Sequence, residues 1–176
     1  MIGPAHALPV LAMVVVVASS NVAVQFPIND WLTWGALTYP FAFLVTDLTN
    51  RRLGPDEARR VVYVGFALAV LLSILLAGPR IALASGTAFL TAQLLDIWVF
   101  NCLRRLPWWQ APLASSSFAS IWDTTAFFSL AFAGTGLPWI TWALGDLGVK
   151  AGMALLLLLP FRALMGPRDA LAAPAR

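Results

Sequence analysis

Long apolar runs alternate with short segments that are polar or contain proline and glycine. A helix that crosses a membrane needs about 20 mostly apolar residues, and the chain offers six such runs. The predicted spans cover about residues 8–26, 31–50, 61–77, 81–103, 115–133 and 138–159. The connections between them are too short to hold a soluble domain. We therefore predict that residues 1–176 form one domain, an all-α integral membrane protein built as a compact bundle of six transmembrane helices.

Composition excludes a soluble globular protein. Of the 176 residues, 60% are hydrophobic and only 11% are charged, whereas soluble domains carry about 25% charged residues. The mean hydropathy is +0.82 and the isoelectric point is near 9.8. A basic soluble protein would suggest nucleic acid as a partner, but here the Arg residues cluster between apolar runs, as in cytoplasmic loops. The expected partner is the lipid bilayer, and no nucleic acid is expected.

The distribution of Arg predicts the orientation in the membrane. The connections after the second and fourth runs, together with the C-terminal tail, hold nine of the eleven basic residues. The opposite side holds only Arg80, and Lys150 lies within a run. Because basic residues concentrate on the cytoplasmic side, we expect both termini to be cytoplasmic. Met1–Ala7 contains no Lys or Arg, so we expect the first run to be a span rather than a cleaved signal peptide.

The sequence offers few residues that could bind a metal or a cofactor. Cys102 is the only cysteine and His6 the only histidine. A disulfide framework, a Cys-based metal site and a His cluster are therefore excluded. We expect no metal and no cofactor.

Five ionisable residues fall inside predicted spans: Asp47, Asp96, Asp123, Asp146 and Lys150. Each costs roughly 2.5–3.5 kcal/mol at the centre of a membrane helix if it is ionised, so each calls for a functional or structural reason. Asp146 and Lys150 are four residues apart and share a helix face, which predicts an ion pair, with a role in coupling as a second possibility. The other three carboxylates then lack an intramembrane base. They must be neutral, reach an Arg, or face a hydrated or ligand-filled cavity.

The neighbours of these carboxylates suggest a flat, hydrogen-bonding ligand. A carboxylate accepts two parallel hydrogen bonds from adjacent N–H groups, as on the edge of a guanine-like ring, and aromatic side chains stack on the ring plane. We therefore predict a binding site between the second, fourth and fifth spans. Its candidate residues are Asn21, Phe43, Asp47, Gln93, Asp96, Trp98, Asn101, Trp122 and Asp123. Two alternatives stay open: Trp98 and Trp122 could face lipid, and the Ser, Thr and Asn residues could simply join helices.

An enzymatic function is less well supported. Leu144-Gly145-Asp146 resembles part of the Gly-x-Gly-Asp motif of intramembrane aspartyl proteases, but Ala143 occupies the place of the first Gly. Lys150, one turn further on, would hold Asp146 ionised. Serine chemistry would need an intramembrane His. We predict that the chain is not an enzyme.

Ordered motifs along most of the chain resemble the queuosine-precursor transporters, also called the vitamin uptake transporter family. The matching stretches include Ser19-Ser20-Asn21, Thr46-Asp47-Leu48-Thr49, Ala58-Arg59-Arg60, Gln93-x-Leu95-Asp96, Trp108-Trp109-x-Ala111-Pro112, Asp123-Thr124 and Asp146-x-x-x-Lys150. The resemblance implies six helices, a multi-pass protein of the cell inner membrane, and a cargo of 7-cyano-7-deazaguanine or a close 7-deazaguanine. This nucleobase supplies the tRNA modification queuosine. The connections after the third and fifth spans are shorter than in longer members of the family.

Two modes of energy supply remain open at this stage. The surplus carboxylates give a solitary carrier a means of coupling to an ion or proton gradient, and we favour that mode. The alternative is the substrate-binding membrane subunit of an energy-coupling-factor transporter. The expected partners beyond the cargo are accordingly a second copy in a homodimer or an energy-coupling module.

Overall fold

The computed structural model describes residues 4–165, and this part of the chain is helical almost throughout. Its helices are α1 (Pro4–Ala23), α2 (Gly35–Thr38), α3 (Phe41–Leu53), α4 (Pro55–Ala77), α5 (Pro79–Leu103), α6 (Gln110–Phe132), α7 (Trp139–Leu156) and α8 (Leu158–Leu164). The only extended pairing in these residues is a single bridge between Pro27 and Thr33. The all-α class predicted from the sequence is confirmed for the described residues.

Two glycines are each the only residue between two consecutive helices. Gly54 has φ 92° and Gly78 has φ 82°, values that side-chain-bearing residues rarely adopt. A proline follows each of them and opens the next helix, where its missing N–H costs nothing. The polar connection expected over residues 51–60 is therefore wrong: α3 and α4 cover that stretch apart from Gly54. Its polarity marks the end of α3 and the start of α4 and not a loop.

The second predicted span, residues 31–50, is not one continuous helix. Residues 27–34 lie outside the helices, α2 has four residues, and α3 begins at Phe41. Tyr39 and Pro40 keep helical backbone angles between α2 and α3. Because proline has no N–H to donate and crowds the carbonyl of the preceding turn, the chain kinks there.

Three helical stretches are long and apolar enough to cross a membrane: Pro55–Ala77, Pro79–Leu103 and Trp139–Leu164, the last combining α7 with α8. Ala7–Ala23 is a shorter apolar helix. Their length and composition are those of membrane-spanning helices. The tail residues Arg168 and Arg176, on which part of the predicted orientation depends, lie outside the described residues.

Contacts between connecting segments define two ends of the bundle. At one end, which we call the basic end, Arg104 donates to the Arg51 carbonyl at 2.9 Å and Arg51 donates to the Arg104 carbonyl at 3.3 Å. At the other end, the Arg80 end, Arg80 donates to the Ala133 carbonyl at 2.7 Å. The Gly54 break belongs to the basic end and the Gly78 break to the Arg80 end. The helices between these ends carry the ionisable residues.

Candidate functional site

One face of α7 brings a lysine and a carboxylate into the interior. Trp142, Asp146 and Lys150 follow at spacing four and are all buried. The Lys150 Nζ atom lies 2.6 Å from Asp146 on the same helix and 2.7 Å from Asp123 on α6. Asp123 was expected to lack a base, and that expectation is wrong because one ammonium serves both carboxylates.

Two further side chains complete this arrangement, which we call the Lys150 cluster: Tyr39, Asp123, Thr124, Asp146 and Lys150. The Tyr39 hydroxyl donates to Asp123 at 2.7 Å, and the Thr124 hydroxyl donates to Asp146 at 2.7 Å. Lys150 also donates to the Thr124 oxygen at 2.9 Å and lies 4.8 Å from the centre of the Tyr39 ring. The cluster thus joins the kink before α3 to α6 and α7.

A second polar group, the Asp96 cluster, lies nearer the basic end and consists of Asp47, Gln93, Asp96, Ser115 and Ser116. Asp47 of α3 accepts from Ser115 at 3.4 Å and from Ser116 at 3.2 Å, both on α6. Asp96 of α5 has Asp47 and Ser115 as its polar neighbours. These contacts bring three helices together around two carboxylates with no lysine among them.

Three polar atoms of the Asp96 cluster are left without a hydrogen bond. Among the described residues, no group makes a well-formed hydrogen bond to either oxygen of Asp96 or to the Nε2 amide of Gln93, although Ser115 and Asp47 lie close to Asp96. Both side chains are 0% exposed. The Gln93 oxygen, by contrast, accepts from Thr46 at 2.5 Å. A buried donor or acceptor left unpaired costs about 1–3 kcal/mol, so these three atoms are candidates for contacts with another molecule.

Two clefts lie in the bundle and share Lys150. The lining of the first, which we call the basic-end cleft, includes Phe43, Asp47, Ser116, Ser120 and Lys150. The lining of the second, which we call the Arg80-end cleft, includes Asn21, Tyr39, Ser85, Phe127 and Lys150.

The structure places Asn21 and Asn101 away from the Asp96 cluster. Asn21 donates to Ser73 at 2.6 Å and accepts from Ser85 at 2.7 Å, so it joins three helices. Asn101 donates to the Ile97 carbonyl at 2.8 Å and accepts from Arg104 at the basic end. These contacts place both amides outside the Asp96 cluster, and Asn21 lines the Arg80-end cleft instead.

Trp98 and Trp122 face outward. Their exposed fractions are 63% and 52%, and the Trp122 ring nitrogen donates to Thr91 on the outer surface at 2.8 Å. Neighbours in a helix sequence are about 100° apart around its axis, so Trp122 points away from Asp123 and Trp98 from Asp96. Their predicted stacking role is corrected in favour of a lipid-facing position.

Phe43, unlike the two Trp residues, places its aromatic ring near a buried carboxylate. It is buried, lines the basic-end cleft and meets the Tyr39 ring edge-on at a centroid distance of 6.2 Å. Phe43 was among the candidate residues, whereas Tyr39 and Thr124 were not. Their signals were present in the sequence, because Tyr39, Phe43 and Asp47 follow at spacing four and Thr124 adjoins Asp123.

Comparison with known proteins assigns the family. The family model described as "Putative vitamin uptake transporter" matches residues 33–78 and 71–165. The chain belongs to this transporter family. A "Queuosine precursor transporter" of Escherichia coli is 36% identical over 174 residues, covering 82% of this chain and 79% of that protein. A "Probable queuosine precursor transporter" of Haemophilus influenzae is 37% identical over 166 residues, covering 73% and 71%. No solved structure matches.

Membership in a transporter family changes how the buried residues are interpreted. The chain is a membrane transporter and not an enzyme. The interacting carboxylates Asp47 and Asp96 need not be a proteolytic pair. In a vitamin uptake transporter, buried polar groups beside a cleft are candidates for cargo binding and for coupling.

Proposed function

We propose that this chain imports a queuosine precursor of the 7-deazaguanine class, 7-cyano-7-deazaguanine or a close relative, through the cell inner membrane. The names of its relatives support the precursor class. Six helical passages through the membrane, with both termini in the cytoplasm, agree with the Arg residues gathered at the basic end. The kinked α2–α3 segment and α6 then act as passages alongside the apolar helices.

The proposed cargo is inferred from the unpaired atoms of Asp96 and Gln93. A deazaguanine presents a ring N–H beside an amino group, and next to them a ring carbonyl. The two oxygens of Asp96 can accept from the two donors in parallel, and the Gln93 amide can donate to the carbonyl. Gln93 and Asp96 are three residues apart on α5, so they share a face. Binding such a base would satisfy every buried atom that the cluster leaves unpaired.

Access to this pair runs through the basic-end cleft. Asp47 lines that cleft and interacts with Asp96, which does not line it. Phe43 lines the same cleft and offers an aromatic face to a planar ring. A base that enters here passes Phe43 and meets Asp47 first. The movement of Asp47 then opens the way to Asp96.

The first prediction concerns Asp96→Asn. The amide keeps the shape of the side chain but replaces one acceptor by a donor, so one donor of the base is left facing another donor. We expect affinity for 7-cyano-7-deazaguanine to fall by about 1–3 kcal/mol, or about 5- to 150-fold, measured as Kd on the purified protein. The melting temperature should not fall, because the change removes an unpaired buried carboxylate.

Two control variants accompany this measurement. Trp122→Phe alters a lipid-facing side chain, and Asp56→Asn alters an exposed residue that pairs with Arg59 at 2.8 Å. Both should bind the base with unchanged affinity. Normal binding by Asp96→Asn would refute the assignment of Asp96 to the base. If uptake were lost while binding stayed normal, Asp96 would belong to an ion path instead.

We further propose that the chain works alone and is driven by a gradient. Four buried carboxylates, Asp47, Asp96, Asp123 and Asp146, share a single buried lysine, which leaves acidic groups able to take up a proton or cation with the cargo. The purified chain in liposomes should accumulate the base when a proton gradient is applied. Uptake that appears only after an ATPase module is added would support the energy-coupling-factor alternative.

A further inference from the structure

The two clefts meet at the same residue. Lys150 lines the basic-end cleft together with Phe43 and Ser120, and it lines the Arg80-end cleft together with Tyr39 and Phe127. Asp123 and Asp146 also line the Arg80-end cleft. The Lys150 cluster therefore lies between the two clefts.

Contacts across the cluster close the space between three elements. Tyr39 reaches Asp123 from the kink before α3, and Lys150 reaches Asp123 from α7. Each of these contacts is 2.7 Å long. While both contacts are in place, the hydrogen-bonded side chains leave no gap between them. A ring-sized molecule therefore cannot pass.

We propose that the Arg80-end cleft is a second docking site for the same flat heterocycle, separated from the basic-end site by the Lys150 cluster. This inference rests on the proposed function, since it places the cargo on a path through the bundle. The cleft is the one that a base arriving from outside the cell meets first.

The lining of the Arg80-end cleft suits such a base. Phe127, Phe128 and Tyr39 supply aromatic surfaces, and the rings of Phe127 and Phe128 meet edge-on at 5.1 Å between centroids. Lys150 offers an ammonium to a ring carbonyl, and Asp146 offers a carboxylate to ring N–H groups. Aromatic walls with a few convergent polar groups are typical of small-molecule sites.

Part of the cluster stays paired when it opens. Asp146 and Lys150 are on the same helix, one turn apart, so they remain paired when α7 moves away from α6. Asp123 keeps the hydrogen bond from the Tyr39 hydroxyl in that state but loses its counter-ion. Because a buried carboxylate without a counter-ion is costly, the closed barrier is the favoured state.

Site-directed cysteines test both parts of the proposal. In a Cys102→Ser background, Val24→Cys places a thiol in the Arg80-end cleft and Ser120→Cys places one in the basic-end cleft. Both replacements are close in size to the original side chains. Vesicles of known orientation are treated with a membrane-impermeant thiol reagent from one side or the other, with and without 7-cyano-7-deazaguanine.

We expect Val24→Cys to react only from the side of the Arg80 end and Ser120→Cys only from the side of the basic end. The base, added on the reactive side, should slow both reactions in a saturable way. Ile121→Cys is the matched control: it adjoins Ser120 on α6 but is exposed on the outer surface, so the reagent should reach it from neither side.

A third arm opens the barrier. Lys150→Met should make each cleft cysteine reactive from both sides, and Tyr39→Phe serves as the milder variant because it removes only the hydroxyl contact to Asp123. Reaction of either cysteine from both sides with the cluster intact would overturn the barrier. If the base protects Ser120→Cys but not Val24→Cys, the second docking site is refuted while the proposed function stands. If it protects neither and does not bind the purified chain, the proposed function fails as well.

Discussion

Lys150→Met is expected to destabilise the protein by about 3–5 kcal/mol, the cost of removing one partner from a buried ionic group. The ammonium is 3% exposed in its side chain and lies 2.6–2.7 Å from two carboxylates on different helices. Its removal leaves Asp123 and Asp146 facing each other with only hydroxyl donors. The melting temperature in detergent should fall clearly, and uptake should be lost with it.

Companion variants show whether charge is the cause. Asp146→Asn alone leaves one ammonium with one carboxylate, so we expect a smaller loss than for Lys150→Met. Joining Lys150→Met to Asp146→Leu should not restore stability, because Asp123 stays uncompensated. Adding Asp123→Asn to that pair should restore most of it. Arg59→Met, which breaks an exposed pair worth about 0–1 kcal/mol, is the control. Equal losses for Asp146→Asn and Lys150→Met would contradict this account.

Hydrophobic patterning predicted the helical class because several of the predicted spans are long and apolar. It did not predict the boundaries near charged residues. Arg51 and Arg52 mark the membrane edge, yet Arg is also a good helix former, so α3 continues through both to Leu53. Pro40 lies inside the second predicted span, but its presence alone does not predict the kink that separates α2 from α3. The kink depends on whether neighbouring groups can hydrogen-bond the carbonyl that loses its partner at proline.

Contacts between candidate residues were predicted correctly where the residues are three or four apart in a helix. They were predicted wrongly where residues were grouped only because they are neighbours in the sequence. Asp146 and Lys150 share a face because they are four apart, and they are in contact. Trp98 and Trp122 were grouped with Asp96 and Asp123 because they are one or two residues away, and such neighbours lie on different faces. The contact between Asp123 and Lys150 joins two helices, and no pattern within one helix could have predicted it.

Gly145→Ala is expected to cause the other large loss of stability, about 1–3 kcal/mol or more. A Cβ atom at Gly145 would overlap the Trp31 carbonyl oxygen. The obstacle is backbone, so no rotation of a side chain relieves it, and residues 27–34 must move away from α7. The Leu144-Gly145-Asp146 motif thus has a packing explanation: glycine is needed for the approach of another segment and not for proteolysis.

Gly148→Ala provides the matched control on the same helix. A Cβ atom there would have nothing within 4 Å, and alanine favours a helix over glycine by about 0.5–1 kcal/mol. Its melting temperature should be unchanged or raised. The next residue after Gly145 is Asp146, so displacement of α7 by Gly145→Ala should also loosen the Lys150 cluster and reduce uptake, whereas Gly148→Ala should transport normally. If both variants melt at the same temperature, Trp31 does not lie as close to α7 as described. The contact would then not help to hold Asp146 in position.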